Sequence, residues 1–481
     1  MSLTGGSLPD LDENACKVAG ILSSIKPDEN LLVIAHLDAD GLSSGSIITS
    51  ALLRAGRCTH LRIVKQLDES VVKDISQMKY KYVVFTDMGS GQKSLLKKLN
   101  GITPIIIDHH QPEKLEVDPG FPEINAHLCG FDGSTDISAS GTAYLVACKM
   151  DASNKQLAPL AIVGALGDIQ DKGDRSTLVG INAKIADEAE KAGMLTVKKG
   201  LKLYGFESRP LIKCMEYTME PYLPGLSGDE GACFKLIKSL GIDPRRPDGS
   251  WKSVSDLSKD DLRLVINGMI KYLISQGLSS REAESIVGAI YVFSGEDADS
   301  PLRDAREFAS SINACGRLGR YGLGISICLG DRVKALAEMK EILLEYRKTI
   351  SGYLNWLAGN KESIKVLPHV QAIYGGTTVD DKMIGTLTSV AFSVKPFTND
   401  KPILGFAKSE NVVKVSGRGT PDLVRRGLNL GAIMKEASEK LGGAGGGHTI
   451  AAGAQIPVGK EDEFLAIAEE LIAKTVSGVK L

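Results

Sequence analysis

The chain has 481 residues, of which 43% are hydrophobic and 24% charged, a composition typical of a soluble globular protein with about two to four domains. Its 57 Lys and Arg residues nearly balance its 59 Asp and Glu residues, which excludes a uniformly basic nucleic-acid coat but not a local basic groove. No apolar run approaches the roughly 18 residues of a membrane span, and the N-terminal residues lack the basic and apolar regions of a signal peptide.

Predicted strands and helices alternate in the N-terminal third of the chain. They are a strand over 31–35 that ends at His36, a helix over 42–54, a strand over 81–86 that ends at Asp87, and a strand over 105–107 that ends at Asp108. Short apolar strands separated by helices indicate a parallel sheet that is covered on both faces. Ligands bind such sheets at the carboxyl ends of the strands, so the polar residues there are the first candidates for a functional site.

The rest of the chain changes in character twice. Residues 200–300 are rich in Leu, Lys, Ser and charge, and residues 331–357 have helical periodicity without proline, which predicts one long helix. We predict an α/β protein with four parts: a parallel-sheet catalytic domain over 1–195, a mostly helical insert that also completes this lobe over 196–330, a connecting helix over 331–360, and a smaller α/β domain over 361–481.

Histidine and aspartate residues cluster at the predicted strand ends. His36, Asp38 and Asp40 alternate along one segment, and residues two apart on an extended segment point the same way. With Asp87, His109 and a carboxylate near residue 168 they form a set of oxygen and nitrogen donors without sulfur. Such a set suits a pair of divalent ions, with Mn²⁺ preferred and Mg²⁺ as the alternative.

A pair of ions held in this way would generate hydroxide at neutral pH and neutralise charge on phosphoryl oxygens. Without cations, the crowded aspartates would repel one another and stay partly protonated. The alternative, in which Asp38 and Asp40 are turn residues and His109 and His110 lie on the surface, is less consistent with the placement of all of them at strand ends. The cluster therefore predicts hydrolysis at phosphorus.

The segments HLDADGLSS, VVFTDMGSG, IIIDHHQP and GALGDIQD resemble the four motifs of the DHH phosphoesterase superfamily, in order. The resemblance implies that His36, Asp38 and Asp87 hold one ion, and that Asp40, Asp87, His109 and an aspartate of the fourth motif hold the other. It also implies that His110 faces the scissile phosphate or the leaving group and that Asp108 orients the site.

The ligand of the fourth motif is ambiguous. Alignment to one branch of the superfamily selects Asp168 and alignment to another selects Asp171. The two are three residues apart and could share a helix face. Asp168 is preferred.

Two further segments of the first lobe are candidates for phosphate binding. Ser138 precedes an apolar helix, where capping is the favoured role and phosphate binding by the helix amides is the alternative. The segment 302–324 resembles the asparagine-and-arginine segment of RecJ-type nucleases. This resemblance implies that Arg317 clamps a phosphate near the active site, because a guanidinium pairs with phosphate through two hydrogen bonds. The alternative is an Arg that neutralises nearby carboxylates.

The C-terminal segments VKVSGRGT and GGAGGGHTIAAG resemble the DHHA1 domain that accompanies DHH domains. The first segment predicts Ser416 and Arg418 on a strand edge. Glycines allow a close approach of backbone to ligand, and the resemblance implies that these segments hold nucleic-acid backbone. The predicted substrate-binding residues are Ser416, Arg418, Gly445, Gly446, Gly447 and His448.

The length of the chain, the segment 303–331 and the long helix predicted over 331–357 resemble the archaeal RecJ-like branch. We therefore predict a single-strand-specific exonuclease acting on DNA or RNA through a two-metal hydroxide mechanism. Three alternatives are a phosphodiesterase for nano-RNA or cyclic dinucleotides, a replication-fork scaffold that binds the GINS complex of the replisome, and, least favoured, an editing hydrolase for mischarged tRNA. No membrane partner is expected.

Eight cysteines are scattered along the chain without a C-x-x-C pair. In a chain of this length they indicate buried thiols in a reducing compartment rather than a disulfide framework or a zinc site. The sequence therefore predicts a cytoplasmic protein.

Overall fold

The computed structural model describes residues 8–206, 209–218, 222–392 and 395–476. The chain forms two compact units, with the boundary between Leu343 and Leu344 and with Tyr222–Pro224 grouped with the second unit. Among the described residues, no helix combines the length and the apolar character that crossing a bilayer requires.

The first unit contains seven described strands and thirteen described α-helices. The strands are β1 Leu31–His36, β2 Thr59–Val64, β3 Tyr82–Thr86, β4 Thr103–Asp108, β5 Glu123–Asn125, β6 Leu195–Leu201 and β7 Val287–Phe293. The helices are α1 Leu8–Ser24, α2 Ala39–Arg54, α3 Glu69–Ser76, α4 Lys93–Leu96, α5 Ala139–Met150, α6 Ala158–Gly167, α7 Gly180–Lys191, α8 Leu211–Tyr217, α9 Glu230–Ser239, α10 Lys259–Ser275, α11 Ser280–Glu284, α12 Ala305–Arg317 and α13 Tyr321–Cys328.

A five-stranded sheet with the order β2-β1-β3-β4-β5 forms the centre of this unit. All four strand pairings are parallel, and β1, β3 and β4 are almost entirely buried, so the predicted parallel sheet is confirmed. Strands β2 and β5 were not predicted from the sequence. The first is a partly exposed edge strand and the second has three residues, so neither carries the apolar run on which the prediction relied.

Helices cover this sheet and bring remote segments to its carboxyl edge. The helix predicted from Leu42 begins at Ala39, because Asp38 caps it. Helix α2 packs against α5 and α6, and α12 packs against both α2 and α6. The segment predicted as a mostly helical insert contains α8–α11 and also the antiparallel pair β6–β7.

The predicted connecting helix is present as α14 (Lys334–Gly359). All eight cysteines lie within the described residues and are free thiols, but Cys16 and Cys58 are exposed rather than buried as predicted. The first lies on α1 and the second just before the edge strand β2, positions that the cysteine count alone does not distinguish.

The second unit is the predicted smaller α/β domain. Its strands are β8 Ile364–Val366, β9 Gln371–Gly376, β10 Ile403–Ser409, β11 Val412–Arg418, β12 Ala444–Gly447 and β13 Ala451–Pro457, and its further helices are α15 Ile384–Ala391, α16 Pro421–Arg425, α17 Leu430–Glu439 and α18 Glu461–Val476. The sheet order is β12-β13-β11-β10-β9-β8. Its core includes Phe406, Val415, Met434 and Phe464, each at most 1% exposed.

Ser416 and Arg418 lie on an internal strand, and the predicted strand edge is therefore wrong. Strand β11 is hydrogen-bonded to β10 on one side and to β13 on the other. The valines that alternate along this segment, Val413 and Val415, are buried. Alternation of this kind marks a strand with one buried face, and it does not reveal how many neighbouring strands there are.

Candidate metal centre

Asp87 lies at the centre of a cluster of carboxylates and imidazoles at the carboxyl end of the first sheet. It follows β3 with a left-handed backbone, φ 62°, which Asp adopts more readily than most residues. The residue is 5% exposed. One carboxylate oxygen is 3.5 Å from Nδ1 of His36, and the other is 3.2 Å from Nε2 of His109. Asp87 therefore presents one oxygen to each of two groups of possible ligands.

His36 and Asp38 form the first group with Asp87. One oxygen of Asp38 accepts the backbone N–H of Gly41 at 3.1 Å, and the other is 2.8 Å from Nδ1 of His36. Burial alone would lower the pKa of His36, but the Asp38 carboxylate raises it to about 10. Burial opposes the charge of Asp38, yet His36 and Arg317 hold its pKa well below the usual range.

Asp40 is buried and is held by the start of α5. Its two oxygens accept the backbone N–H groups of Ala139 and Ser140 at 2.8 and 2.9 Å. The predicted cap is confirmed, because Ser138 accepts the N–H of Gly141 at 3.2 Å. The backbone N–H groups at the start of α5, which the sequence offered as an alternative phosphate site, bind the Asp40 carboxylate instead. Burial, followed by the charge of Asp87, raises the pKa of Asp40 to about 7.

Two glycines allow helices to approach these ligands closely. A Cβ on Gly164 of α6 would lie 2.0 Å from Oγ of Ser140 and 2.4 Å from Oδ1 of Asp40. A Cβ on Gly316 of α12 would lie 1.8 Å from the carbonyl oxygen of Leu37. These separations are far below van der Waals contact, so residues with side chains would displace either the helices or the loop that carries Asp38 and Asp40.

His109 is oriented by a backbone carbonyl. Its Nδ1 lies 2.6 Å from the carbonyl oxygen of Gly133, which can only accept, so Nδ1 carries the proton. Its Nε2 is 3.2 Å from an oxygen of Asp87 and 3.7 Å from one of Asp40. The lone pair of a neutral ring would thus face two carboxylates. This arrangement requires a proton or a metal cation between them.

Asp168 lies in the cluster, whereas Asp171 does not. An oxygen of Asp168 is 3.9 Å from Nδ1 of His109, and the residue forms a group with His109 and Asp40. Asp171 instead forms an ion pair with Arg306 at 2.8 Å. The suggestion that the two aspartates share a helix face is wrong, because α6 ends at Gly167 and Ile169 has a φ of 55°.

Asp108 positions its neighbour His110. Its carboxylate accepts the backbone N–H groups of Ser90, His109 and His110 at 2.8 to 3.2 Å. It also lies 2.8 Å from Nδ1 of His110. Burial opposes the charge of Asp108, but His110 holds its pKa well below the usual range. Since Nδ1 of His110 faces an acceptor, this ring is oriented by Asp108, and its side chain remains 35% exposed.

Arg317 lies close to the first group of ligands. It is the last residue of α12. Gly316 allows this helix to approach the backbone of Leu37 closely. Its charge contributes to the low pKa of Asp38. The guanidinium is therefore close enough to Asp38 to stabilise its charge.

The donors fit divalent cations. His36, Asp38 and Asp87 form one group, and Asp40, His109 and Asp168 form another, with one donor atom per residue inside 4.8 Å of the others in each group. Oxygen and imidazole nitrogen donors suit Mn²⁺ or Mg²⁺. Cations would also offset the burial and the charge of Asp87 that raise the pKa of Asp40. They would balance the two carboxylates that face Nε2 of His109.

The predicted substrate-binding residues of the second unit lie on β11, on β12 and just after β12, and β13 separates the two strands. Ser416 of β11 pairs with Gly453 of β13, which pairs in turn with Gly446 of β12. Gly445 and Gly447 belong to the same strand as Gly446, and His448 follows it. Nε of Arg418 donates to Oγ of Ser389 on α15 at 3.0 Å. The structure therefore brings the predicted residues of β11 and β12 into one sheet, on either side of β13.

Two buried amides near the ligands, Gln170 and Asn182, were not predicted from the sequence. Nδ2 of Asn182 donates to Oε1 of Gln170 at 2.7 Å. Gln170 lies between the two aspartates of the fourth motif, is 0% exposed, and contacts Asp168. A neutral amide is not a typical metal ligand and therefore carries no ligand signature. The available signal was a polar residue between the two candidate ligands of the fourth motif.

Family profiles match three parts of the chain. Residues 30–165 match the DHH family, N-terminal domain, residues 203–287 match the DHH-CID domain, and residues 371–474 match the DHHA1 domain. The uncharacterized protein MJ0831 of Methanocaldococcus jannaschii is 34% identical over 447 residues, which cover 92% of this chain and 93% of that protein.

Two solved structures share the fold along almost the whole chain. CDC45 from Entamoeba histolytica has a TM-score of 0.61 at 13% identity, covering 97% of this chain and 98% of that one. RecJ in complex with Mn²⁺ from Thermus thermophilus has a TM-score of 0.57 at 17% identity and covers 98% of this chain. The alignment spans 56% of the length of that RecJ chain.

Proposed function

Because this chain belongs to the DHH/DHHA1 superfamily, we propose that it is a metal-dependent phosphodiesterase that acts as a single-strand-specific exonuclease on DNA or RNA. The observation that carries the proposal is Asp87, whose two oxygens face His36 and His109 at 3.5 and 3.2 Å. One carboxylate shared by two groups of ligands is the arrangement of a two-metal hydrolase. The family and the donor cluster together support a metal-dependent phosphoesterase.

In this proposal, His36, Asp38 and Asp87 hold one divalent cation, and Asp40, Asp87, His109 and Asp168 hold the other. Bound cations would supply positive charge that stabilises the transferring phosphoryl group and would make a nearby water more acidic. The protein contributes the orientation of the donors. Nδ1–H of His109 donates to the Gly133 carbonyl, which directs Nε2 to the carboxylates.

His110 and Arg317 are proposed to bind the scissile phosphate. Nδ1–H of His110 donates to Asp108 at 2.8 Å, which fixes the orientation of the ring beside the cluster. Burial lowers the pKa of His110, but Asp108 and Asp87 raise it overall, and this favours a ring that can donate to a phosphate oxygen. Arg317 adds a permanent charge that can pair with the phosphate through two hydrogen bonds.

The second unit is proposed to bind the strand away from the cleaved bond. Arg418 and Ser416 lie on β11, and the glycines of β12 lie two strands away. Guanidinium groups bind phosphates whatever the base, and glycines allow close approach of a sugar–phosphate backbone. We assign Ser416, Arg418 and His448 to substrate binding together with the glycines from Gly445 to Gly447.

The Arg418→Ala variant should bind single strands more weakly, to a similar extent for all sequences. Loss of one phosphate contact should reduce the slope of log affinity against log salt by about 0.7 for a single strand. Fluorescence anisotropy with labelled oligonucleotides at several salt concentrations measures both quantities. Arg425→Ala is the matched control, because Arg425 is exposed and pairs with Asp422. An unchanged salt slope in Arg418→Ala would remove the assignment.

Hydrolysis of end-labelled oligonucleotides tests the substrate and the mode of cleavage. Single-stranded DNA and RNA of graded length should be shortened from one end in Mn²⁺, and blunt duplexes of the same sequence should resist. Activity confined to dinucleotides and other very short strands would instead identify a nano-RNA phosphodiesterase. Absence of hydrolysis in both Mn²⁺ and Mg²⁺ would favour a scaffold.

Two wider assignments remain part of the proposal. An association with the GINS complex would connect the activity to replication, and co-purification of the two proteins at physiological salt would test it. A cytoplasmic location is in keeping with eight free thiols, since disulfides are rare in reducing compartments.

A further inference from the structure

Gln170 is a buried amide that connects two of the candidate metal ligands. The residue is 0% exposed. Its Nε2 donates to Oδ2 of Asp168 at 2.8 Å and to the carbonyl oxygen of Gly133 at 2.8 Å. The two N–H bonds of the amide are therefore both used. One acts on Asp168 directly, and the other on the carbonyl that orients His109.

Asn182 determines which way the amide of Gln170 points. Nδ2 of Asn182 donates to Oε1 of Gln170 at 2.7 Å, and Oδ1 of Asn182 accepts the backbone N–H of Ser138 at 3.4 Å. A backbone N–H can only donate, so Ser138 sets the orientation of Asn182, which then sets that of Gln170. Asn182 is itself 1% exposed, and water cannot readily replace these contacts.

The resulting chain of hydrogen bonds has one direction, from the start of α5 to the ligands. Its donors and acceptors are matched at every step, and it ends on the carboxylate of Asp168 and the carbonyl of Gly133. That carbonyl also accepts Nδ1–H of His109 at 2.6 Å. The turn at Ile169, with a φ of 55°, separates Gln170 from the helix that carries Asp168 at its end and allows the amide to reach back to it.

We propose that Gln170, oriented by Asn182, is a positioning residue that sets the affinity for the cation held by Asp40, His109 and Asp168. A donor on one oxygen of Asp168 holds the carboxylate in a single orientation and leaves its other oxygen for the cation. Partners of this kind around metal ligands typically contribute a factor of about 10 to 100 in metal affinity. The inference rests on the metal centre of the proposed function but not on its substrate.

The Gln170→Met variant tests this directly, because Met has a similar volume and no donors. Calorimetric titration of the full chain with manganese chloride should show two ions in the unsubstituted protein. In the variant, one ion should bind about 10 to 100 times more weakly and the other should be unchanged. Electron paramagnetic resonance should show the spin-coupled pair replaced by an isolated Mn²⁺ at subsaturating metal.

Asn182→Asp provides a second route to the same effect. The substitution keeps the volume but places an acceptor where Gln170 needs a donor, so the Gln170 amide must reverse and present its oxygen to Asp168. The same ion should bind more weakly. Asn154→Asp is the matched control: Asn154 is 0% exposed, and its Nδ2 donates to the Ala147 carbonyl at 2.9 Å. It should lose stability without losing Mn²⁺ affinity.

Wild-type affinity for both ions in Gln170→Met and Asn182→Asp would overturn the inference. A loss of the same size in Asn154→Asp would also overturn it, because the effect would then be general destabilisation. If the unsubstituted chain binds two Mn²⁺ ions but cleaves no strand, the proposed substrate fails and the positioning role stands on the titrations. If it binds no Mn²⁺, both proposals fail.

Discussion

Replacing Asp87 with Asn should abolish phosphodiester hydrolysis while leaving the protein folded. Asn retains the shape of the side chain and tolerates the left-handed backbone at φ 62°, as Asp does. The amide has no charge and offers one oxygen instead of two, so it cannot serve both groups of ligands. We expect kcat/KM to fall by about a thousandfold or more, or roughly 4 kcal/mol of transition-state stabilisation.

The measurement is hydrolysis of a labelled single strand in Mn²⁺, together with the number of Mn²⁺ ions bound and the circular dichroism spectrum. Asp68→Asn is the matched control, because Asp68 caps α3 and belongs to none of the groups of possible ligands found among the described residues, and Asn is an equally good cap. Near-normal turnover in Asp87→Asn would contradict the shared-ligand role. A collapsed spectrum would show that the side chain is needed for folding.

Replacing Asp168 and Asp171 separately should produce opposite effects. Asp168→Asn should lower activity by at least about a hundredfold. It should also weaken the binding of one Mn²⁺ ion, because Asp168 lies with Asp40 and His109. Asp171→Asn should leave Mn²⁺ binding intact and lower the free energy of unfolding by roughly 3 kcal/mol, because it deprives the mostly buried Arg306 of its partner.

Urea denaturation and Mn²⁺ titration on both variants separate these outcomes. The pair serves as its own control, since each variant makes the same chemical change three residues from the other. The assignment of Asp168 would be contradicted if Asp171→Asn lost an ion and Asp168→Asn did not. Equal losses of affinity in both variants would indicate that the turn itself, rather than one carboxylate, supports the metal centre.

The close approach of α6 and α12 should make the cluster sensitive to substitutions that do not touch a ligand. Gly164 and Gly316 leave no room for a Cβ next to Asp40 and the Leu37 carbonyl. Cores transmit such displacements because they are closely packed. Ligand geometry therefore depends on two glycines whose own chemistry contributes nothing to metal binding.

Much of the fold followed from local patterns. Apolar runs ending in His36, Asp87 and Asp108 were sufficient to predict the central strands and the edge at which ligands meet, because strand burial and side-chain polarity are encoded within a few residues. The partly exposed edge strand β2 and the three-residue strand β5 were missed, because neither carries a long apolar run. The internal position of β11 was also missed, since β13, which pairs with its second side, lies much further along the chain.

The sequence by itself determined the chemistry of the site: which donor atoms exist, their order along the chain, and the parallel sheet whose strand ends carry them. Only the tertiary structure shows that Asp168, and not Asp171, lies next to His109. It also directs the backbone N–H groups at the start of α5 toward Asp40. It brings Gln170, which Asn182 orients, into contact with Asp168. The physical reason is that donor type is a property of each residue, whereas distance and hydrogen-bond direction depend on backbone turns and on packing between segments that are far apart in the chain.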